Sequence, residues 1–436
     1  MPTPHIAWRG RYEPGVPQGL PPADRSFPQL LVEAAGAAPG QTALVYYRRR
    51  TSYAQLEARV AVAAQAFLRL GLGPSERVAV ALPNGPLACE LLLGAMRAGG
   101  TVLAIAPELP APRVAALLAA SPPRLAVTWP GARPELQAAL AASAALVLAD
   151  PALDLPPLLN WLARLSGRSR RAAPGGGPAG GRAQRWERLL RGIKAGDEPS
   201  PSPADPALEV ALAEGGSVRF SHGQLVGGAM MLRAWLADSV PGEDSWLPLL
   251  PLSSAFGLVT VLGAAPLARA RVVLLPRWDG AVITDLSRWL PIAYAFADGD
   301  AMRALGADPQ LPEADLGSVR GWIVGDPLTA EERWAFEAAT GLDVCQGLAP
   351  EQAAGLVVCN PVNGHRQPDA LGLLLPGVSA RIRPGGSGGL ELSGPNLAAG
   401  GWQSLGPGLF ADRDGYVHQA PSEARGEPSP AEPGAA

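Results

Sequence analysis

Apolar residues recur at helical spacing over residues 53–70, where Leu56, Val60, Ala64, Phe67 and Leu70 share one face. Gly71 and Gly73 end that helix. The next run, 77–82, is short and almost continuously apolar, the pattern of a strand buried on both faces. A second helix is predicted over 86–98, closed by Gly99 and Gly100, then strand over 102–106, helix over 113–120 and strand over 124–128. The alternation resumes after residue 205, with strands over 271–275, 293–297 and 321–324 and helices over 281–290 and 330–339. Short buried strands alternating with helices of this length predict an α/β fold of doubly wound, mostly parallel sheets covered on both faces. The uncharged stretch 246–268 is long enough to cross a bilayer. Pro248, Pro251 and Pro266 interrupt it, with Ser253 and Ser254 inside, so it reads as a buried strand followed by a buried helix.

Three regions depart from this rhythm. Residues 168–206 are rich in Gly, Pro, Arg and Ser, including Pro174-Gly175-Gly176-Gly177-Pro178, and predict a flexible basic linker. Beyond residue 370, strand-like runs at 378–382, 389–392 and 416–418 are separated by Gly and Pro, which predicts a small β unit. Residues 420–436 offer nothing to bury and read as a disordered tail. The expected organisation is therefore an arm (1–27), a first α/β subdomain (28–167), the linker (168–206), a second α/β subdomain (207–370), the β unit (371–419) and the tail.

Composition narrows the chemistry. The 436 residues are 47% hydrophobic, enough to fill real cores, and the net charge of -3 exerts no pull toward nucleic acid. Cys89, Cys345 and Cys359 are too few and scattered for a disulfide framework or a thiolate metal site, which suits a reducing, cytoplasmic setting. No apolar signal segment opens the chain. Lys194 is the only lysine, every other permanent cation being arginine. Any chemistry that needs a lysine to deliver a compact charge to one phosphoryl oxygen has Lys194 or nothing.

Several runs follow one another in a telling order. They are Pro14-Gly15-Val16-Pro17, Thr51-Ser52-Tyr53-Ala54-Gln55-Leu56, Leu82-Pro83-Asn84 and Arg97-Ala98-Gly99-Gly100. Further on come Ser221-His222-Gly223-Gln224-Leu225-Val226, Pro251-Leu252, Phe256-Gly257-Leu258, Cys359-Asn360-Pro361, Leu375-Pro376-Gly377-Val378 and Asp412-Arg413-Asp414-Gly415-Tyr416. In order and spacing, from about residue 12 to 418, the chain resembles the N-terminal portion of long-chain fatty acid–CoA ligases of the adenylate-forming, AMP-binding superfamily. The resemblance stops short of the mobile C-terminal domain. It implies activation of a carboxylate with ATP and magnesium to an acyl-adenylate, then transfer to coenzyme A. That chemistry requires a Gly-rich loop with a lysine around the phosphates, a carboxylate for magnesium and an acid on the ribose.

At the aligned positions this chain differs. The phosphate loop becomes Glu214, Gly215, Gly216, Ser217 and Arg219, which read as strand, Gly-Gly turn, strand and a helix capped by Ser221. Glu214 puts a negative charge where phosphates would sit, with Arg219 as a partial offset. The adenine loop becomes Ile323-Val324-Gly325-Asp326-Pro327, in which the bulky pair and Asp326 are expected to crowd a purine. The magnesium carboxylate becomes the neutral Gln352, leaving Glu351 next door as an open alternative for a metal. The ribose acid becomes Pro407, and an aromatic-His pair becomes Ser253-Ser254. No residue is assigned to catalysis, no metal site is assigned, and no ATP, magnesium or coenzyme A is expected as a working cofactor.

The remaining candidates are binding features. Phe256, Gly257 and Leu258 are expected to wall an acyl pocket, as the resemblance implies. His222 is expected to pack at a helix start, and His365 and His418 show no metal-type spacing. Leu158, Leu159, Trp161, Leu162 and Leu165 with Arg164, Arg168, Arg170 and Arg171 form a basic amphipathic stretch, which Arg185, Trp186, Arg188, Leu189, Leu190, Arg191 and Lys194 extend. It fits either an anionic membrane surface or helices packed on the body. Three functional readings stand open. They are a non-catalytic acyl-CoA-synthetase-like protein that binds fatty acid or acyl-CoA or regulates an active acyl-CoA synthetase, a working or split ligase, and a structural partner without ligand.

Overall fold

The computed structural model describes residues 7–156, 183–275, 279–382, 389–405 and 408–420. In the first half of the chain the strands are β1 (Thr42–Tyr46), β2 (Arg49–Ser52), β3 (Arg77–Val80), β4 (Thr101–Ala104), β5 (Leu125–Thr128) and β6 (Ala145–Leu148). The middle supplies β7 (Gln184–Arg185), β8 (Pro206–Ala211), β9 (Ser217–Ser221), β10 (Ser245–Leu249), β11 (Arg271–Val273) and β12 (Tyr294–Ala297). The last third holds β13 (Gly321–Val324), β14 (Val344–Leu348), β15 (Val358–Cys359) and β16 (Leu373–Leu374). Two hairpin pairs follow, β17 (Ser379–Ile382) with β18 (Leu390–Ser393), and β19 (Leu409–Ala411) with β20 (Val417–Gln419).

The fold is α/β, with two large sheets and a small β unit. One sheet runs β7-β6-β5-β3-β4-β8-β9 and is parallel except for the β8–β9 hairpin. The other runs β16-β15-β14-β13-β12-β10-β11-β1-β2, parallel through its centre and antiparallel at both ends. The central parallel strands β3, β4, β5, β10, β12 and β13 are buried at every position, which is why their sequences show apolar runs rather than alternation. The helix Tyr53–Arg69 starts where Ser52 accepts from the Gln55 N–H and the Gln55 side chain returns a bond to the Ser52 N–H. It buries Leu56, Val60, Ala64 and Phe67, as its periodicity predicts. In the uncharged stretch, β10 is followed by a buried helix, Ala255–Val259, that continues through a π-helical turn, Thr260–Ala264, into Ala265–Ala268. Among the described residues no helix is long and apolar enough to cross a membrane.

Two sequence expectations need correction. The sheets do not follow the subdomain boundaries: β1 and β2, before residue 167, edge the second sheet, whereas β8 and β9, from residue 206 on, complete the first. A parallel strand joins whichever edge its crossover helix delivers it to, so neighbours in sequence need not be neighbours in a sheet. The boundary near 370 likewise separates β16 from the sheet it belongs to. The supposed flexible linker is built structure in its second half. There, β7 pairs with β6, and Trp186, 2% exposed, packs on Phe67 with ring centroids 5.2 Å apart. One buried indole outweighs a Gly- and Arg-rich composition. Leu189 and Leu190 also turn toward the body, while the stretch from Leu158 to Arg171, like the tail beyond 420, lies outside the described residues.

The sheets' topology places a crevice. In the second sheet β11 lies on one side of β10 and β12 on the other, and in the first β4 and β5 flank β3 in the same way. Ligands of open α/β sheets bind beyond the carboxyl ends of strands at such reversals. Here the carboxyl ends of β3, β4, β8, β10, β12 and β14 open into adjoining cavities.

Candidate functional site

The first cavity, about 340 Å³, lies beyond β4, β8, β10 and β14 and is walled by Ala104, Ala106, Val210, Ala255, Phe256 and Ala349. Arg113 and Glu351 stand at its edge. The second, about 480 Å³, lies beyond β3, β10 and β12 and carries Asn84, Glu108, Asp298 and Asp300. Pro251 and Ser253 border both cavities. Burial holds the Asp298 carboxyl above its usual range, although that group also caps the helix Gly299–Gly306 through the Ala301 N–H. Asn84 clamps the two sheets together at this point: its amide donates to the Leu250 carbonyl at 2.8 Å and accepts from the Leu252 N–H at 2.9 Å. A third, apolar pocket of about 300 Å³ sits beyond β1 and β11 beside Trp289.

The segment that the resemblance assigns to phosphate binding is the β8–β9 hairpin. Its ladder runs from Pro206 opposite Ser221 to Ala211 opposite Ser217, and Leu212 and Gly216 close the tip with a 3.2 Å backbone bond. Gly215 and Gly216 adopt φ of +119° and +75°, which only glycine does without strain, so the Gly-Gly pair makes the reversal. Glu214 is exposed on the tip. Ser221 caps the helix His222–Trp235 in a reciprocal pair with Gln224, as the sequence predicts.

The charged groups here are already occupied. Arg219 donates to Glu209 at 3.2 Å, and the same carboxylate takes Arg77 at 2.7 Å and the Ser217 hydroxyl at 2.6 Å. Both oxygens of Glu351 accept from the Ala213 N–H, at 2.9 and 3.0 Å. Arg113 donates to the Leu212 carbonyl at 2.6 Å and to the Ala213 carbonyl at 3.0 Å. The hairpin tip is therefore gripped by Arg113 at its carbonyls and by Glu351 at the Ala213 N–H. Sequence reasoning missed Arg113 and Ala213, because both contacts bridge about a hundred residues or more without a local signature.

The other aligned positions are placed as follows. Ile323 and Val324 are fully buried inside β13 and line none of the three cavities. Gly325 follows them, with the Phe256 ring so near that a Cβ would fall 2.7 Å from it. Asp326 accepts from the Gly299 N–H at 2.8 Å, at the start of the helix Gly299–Gly306, and Pro327 is exposed in the turn. Gln352 has an exposed side chain. Pro407 lies outside the described residues. Of the three acyl-pocket candidates only Phe256 reaches a cavity; Gly257 backs onto the Pro251 carbonyl and Leu258 is fully buried in the core. Successive residues on one helical turn point about 100° apart, so Leu258, two positions on, faces away from Phe256. Ser254 caps that turn, accepting from the Gly257 N–H at 3.0 Å and donating to the Pro251 carbonyl at 2.9 Å.

Among the described residues, histidine and lysine line none of the three cavities. His222 Nδ1 accepts from the Phe27 N–H at 3.2 Å, and burial lowers its pKa to about 4, consistent with a packing role. His418 faces Asp412 at 3.1 Å, and His365 lies beside Tyr416. Lys194 is exposed and lines none of the three cavities. Among the described residues, no three of His, Cys, Asp and Glu converge to hold a metal ion. Among the described residues, the Ala213 N–H at the tip is taken by Glu351, residue 352 is an amide and Lys194 lines none of the three cavities, so these residues do not fit magnesium and a triphosphate.

Comparison with known proteins agrees with this architecture. Residues 31–208 match the family described as AMP-binding enzyme. The chain is 23% identical to a long-chain-fatty-acid–CoA ligase of Bacillus subtilis, over 94% of this chain and 76% of that protein. It is 25% identical to the indoleacetate–CoA ligase of Aromatoleum aromaticum, over 88% of this chain and 72% of that one. Among solved structures, a benzoate CoA ligase from Burkholderia xenovorans superimposes with a TM-score of 0.74 at 18% identity, covering 90% of this chain and 79% of that chain.

Proposed function

We propose that this acyl-CoA-synthetase-like chain, with its AMP-binding match and the fold of the N-terminal portion of adenylate-forming enzymes, holds a carboxylic acid or its coenzyme A thioester without activating it with ATP. The observation that carries the reading is the Glu351 carboxylate on the Ala213 N–H. The resemblance puts the β- and γ-phosphates at this hairpin tip. A phosphate brought there meets Glu351 and Glu214 and finds no lysine, while the Arg113 guanidinium beside them is already donating to the Leu212 and Ala213 carbonyls. Two unit charges of like sign at 4 Å repel by about 4 kcal/mol at the effective dielectric of a protein surface. Loss of a single preorganised donor already slows an enzyme roughly 100- to 1000-fold, and here the donor is blocked rather than weakened. The alanine-walled cavity beside Phe256, by contrast, is open and apolar enough to retain a ligand.

The decisive experiment pairs two measurements on the same protein and acids. Magnesium- and acid-dependent exchange of pyrophosphate into ATP should stay at the level of the protein-free blank, while calorimetry detects binding of acids. Exchange above the blank with any acid overturns the reading in favour of a working ligase. Absence of binding by every acid and thioester overturns it in favour of a structural partner.

A further inference from the structure

We infer that the tip of the β1–β2 hairpin and the apolar pocket beside Trp289 form a surface that docks on an anionic lipid bilayer. The inference does not depend on the ligand reading above. It begins with strain. Tyr47 and Arg48 make the two-residue turn between β1 and β2, with φ of +47° and +63°. Such a turn favours Asn and Gly, and a bulky side chain held there is an outlier kept at a cost. The tip nonetheless displays a tyrosine, 43% exposed, and an exposed arginine. Bulky residues retained at a strained tip point to a role beyond closing the hairpin.

The second observation is exposed apolar surface around that tip. Val282, 36% exposed, joins Tyr47 in lining the pocket, together with Leu275, Leu286 and Trp289. Leu153, 43% exposed, lies on the short turn that Arg49 holds through the Asp154 and Leu155 carbonyls, each at 3.1 Å. Tyrosine and tryptophan pair an apolar ring with a polar end and suit the headgroup level of a bilayer.

Charge is the third. Arg50 pairs with Val45 across the hairpin, and Val45 pairs with Val273, so Arg50 shares a sheet face with these two pocket-lining valines. Arg271, two residues before Val273, lies on the same face. Burial and the nearby Arg50 hold Arg271 below its usual pKa, the mark of like charges crowded together, and its hydrogen bond goes to the neutral Ser245 hydroxyl at 3.2 Å. Arg48 lies over the Trp289 ring and already takes Asp285 at 3.2 Å, Arg49 faces Asp154, and Asp279 caps a helix through the Val282 N–H. Arg50 and Arg271 have no carboxylate partner among the described residues. Lipid phosphates supply the missing anions, while Tyr47, Val282 and Trp289 meet the boundary between headgroups and acyl chains. A free anion would answer the charges alone.

The test is co-sedimentation of the full chain with phosphatidylcholine vesicles, with and without phosphatidylglycerol. The protein should bind the anionic vesicles only, and less tightly as salt rises. Arg50→Gln should lose about five-fold in affinity, the worth of one arginine near an anionic surface. Tyr47→Asn combined with Arg48→Gly relaxes the turn, so this variant should keep the melting temperature of the unaltered protein while losing roughly ten-fold or more in vesicle affinity. Failure to bind anionic vesicles overturns the inference, as does equal binding to neutral ones. Full binding by the folded turn variant also overturns it, and if Arg168→Gln, Arg170→Gln and Arg171→Gln together then abolish binding, the contact belongs to that stretch instead. A dimer in lipid-free solution that the turn variant abolishes, with no vesicle binding, gives the surface to a second copy and overturns it equally.

Discussion

Glu209→Gln is expected to destabilise the protein severely, through a charge left alone in the interior. Glu209 sits on β8 with a side chain 5% exposed, against Arg77 on β3 at 6%. Its Oε1 takes Arg77 at 2.7 Å and Ser217 at 2.6 Å, and its Oε2 takes Arg219 at 3.2 Å. The Nε and Nη1 of Arg77 are buried and make no hydrogen bond to the protein, so the guanidinium depends on this one carboxylate. Glutamine keeps the size and removes the charge. Removing one partner of a buried pair costs about 3–5 kcal/mol, whereas the Arg219 contact, half exposed on its cationic side, accounts for no more than about 1 kcal/mol of that. Against a typical total of roughly 5–15 kcal/mol, such a loss is a large fraction of the stability. Urea denaturation followed by tryptophan fluorescence measures it. The double change Glu209→Leu with Arg77→Met should recover most of the loss, since neither charge remains to be desolvated. A loss below about 1 kcal/mol for Glu209→Gln, or a double variant no more stable than the single, refutes the reasoning.

Three further outcomes follow from burial and packing. His222 has its pKa lowered from 6.5 to about 4 by burial, so the unfolded chain binds its proton before the folded one does. Its contribution is complete above about pH 6.5 and declines as pH falls toward 4, by up to roughly 3 kcal/mol. Glu90 works in the opposite sense: burial and the neighbouring Asp154 raise it from 4.5 to about 7, so its contribution is lost as pH rises through that window. The stability difference between the unaltered protein and His222→Gln, measured from pH 4 to 7, isolates the histidine slope; a flat difference contradicts it. Gly325→Ala should cost about 1–3 kcal/mol by overpacking, because the new Cβ meets the Phe256 ring at 2.7 Å. An unchanged melting temperature means the ring is free to move.

Much of this protein is local and can be read from the order of its residues. The Gly215-Gly216 reversal, the Ser221 cap and the apolar face of Tyr53–Arg69 each depend on residues within a few positions of one another, where backbone sterics and helical periodicity leave little choice. That Lys194 is the only lysine and that residue 352 is a glutamine is equally plain, because it concerns which residues are present. The partners of those residues were hidden. Arg219 resembles a phosphate ligand until folding brings it to Glu209, and Asp326 resembles an obstacle to a purine until it meets the Gly299 N–H. Glu351 and Ala213 are 138 positions apart, and nothing near either one encodes the other. Strands buried on both faces give no sign of their neighbours, so the exchange of β1–β2 and β8–β9 between the sheets was set by crossover packing. The sequence thus records which chemical groups exist, while long-range packing assigns each charge its counter-charge and each cavity its floor.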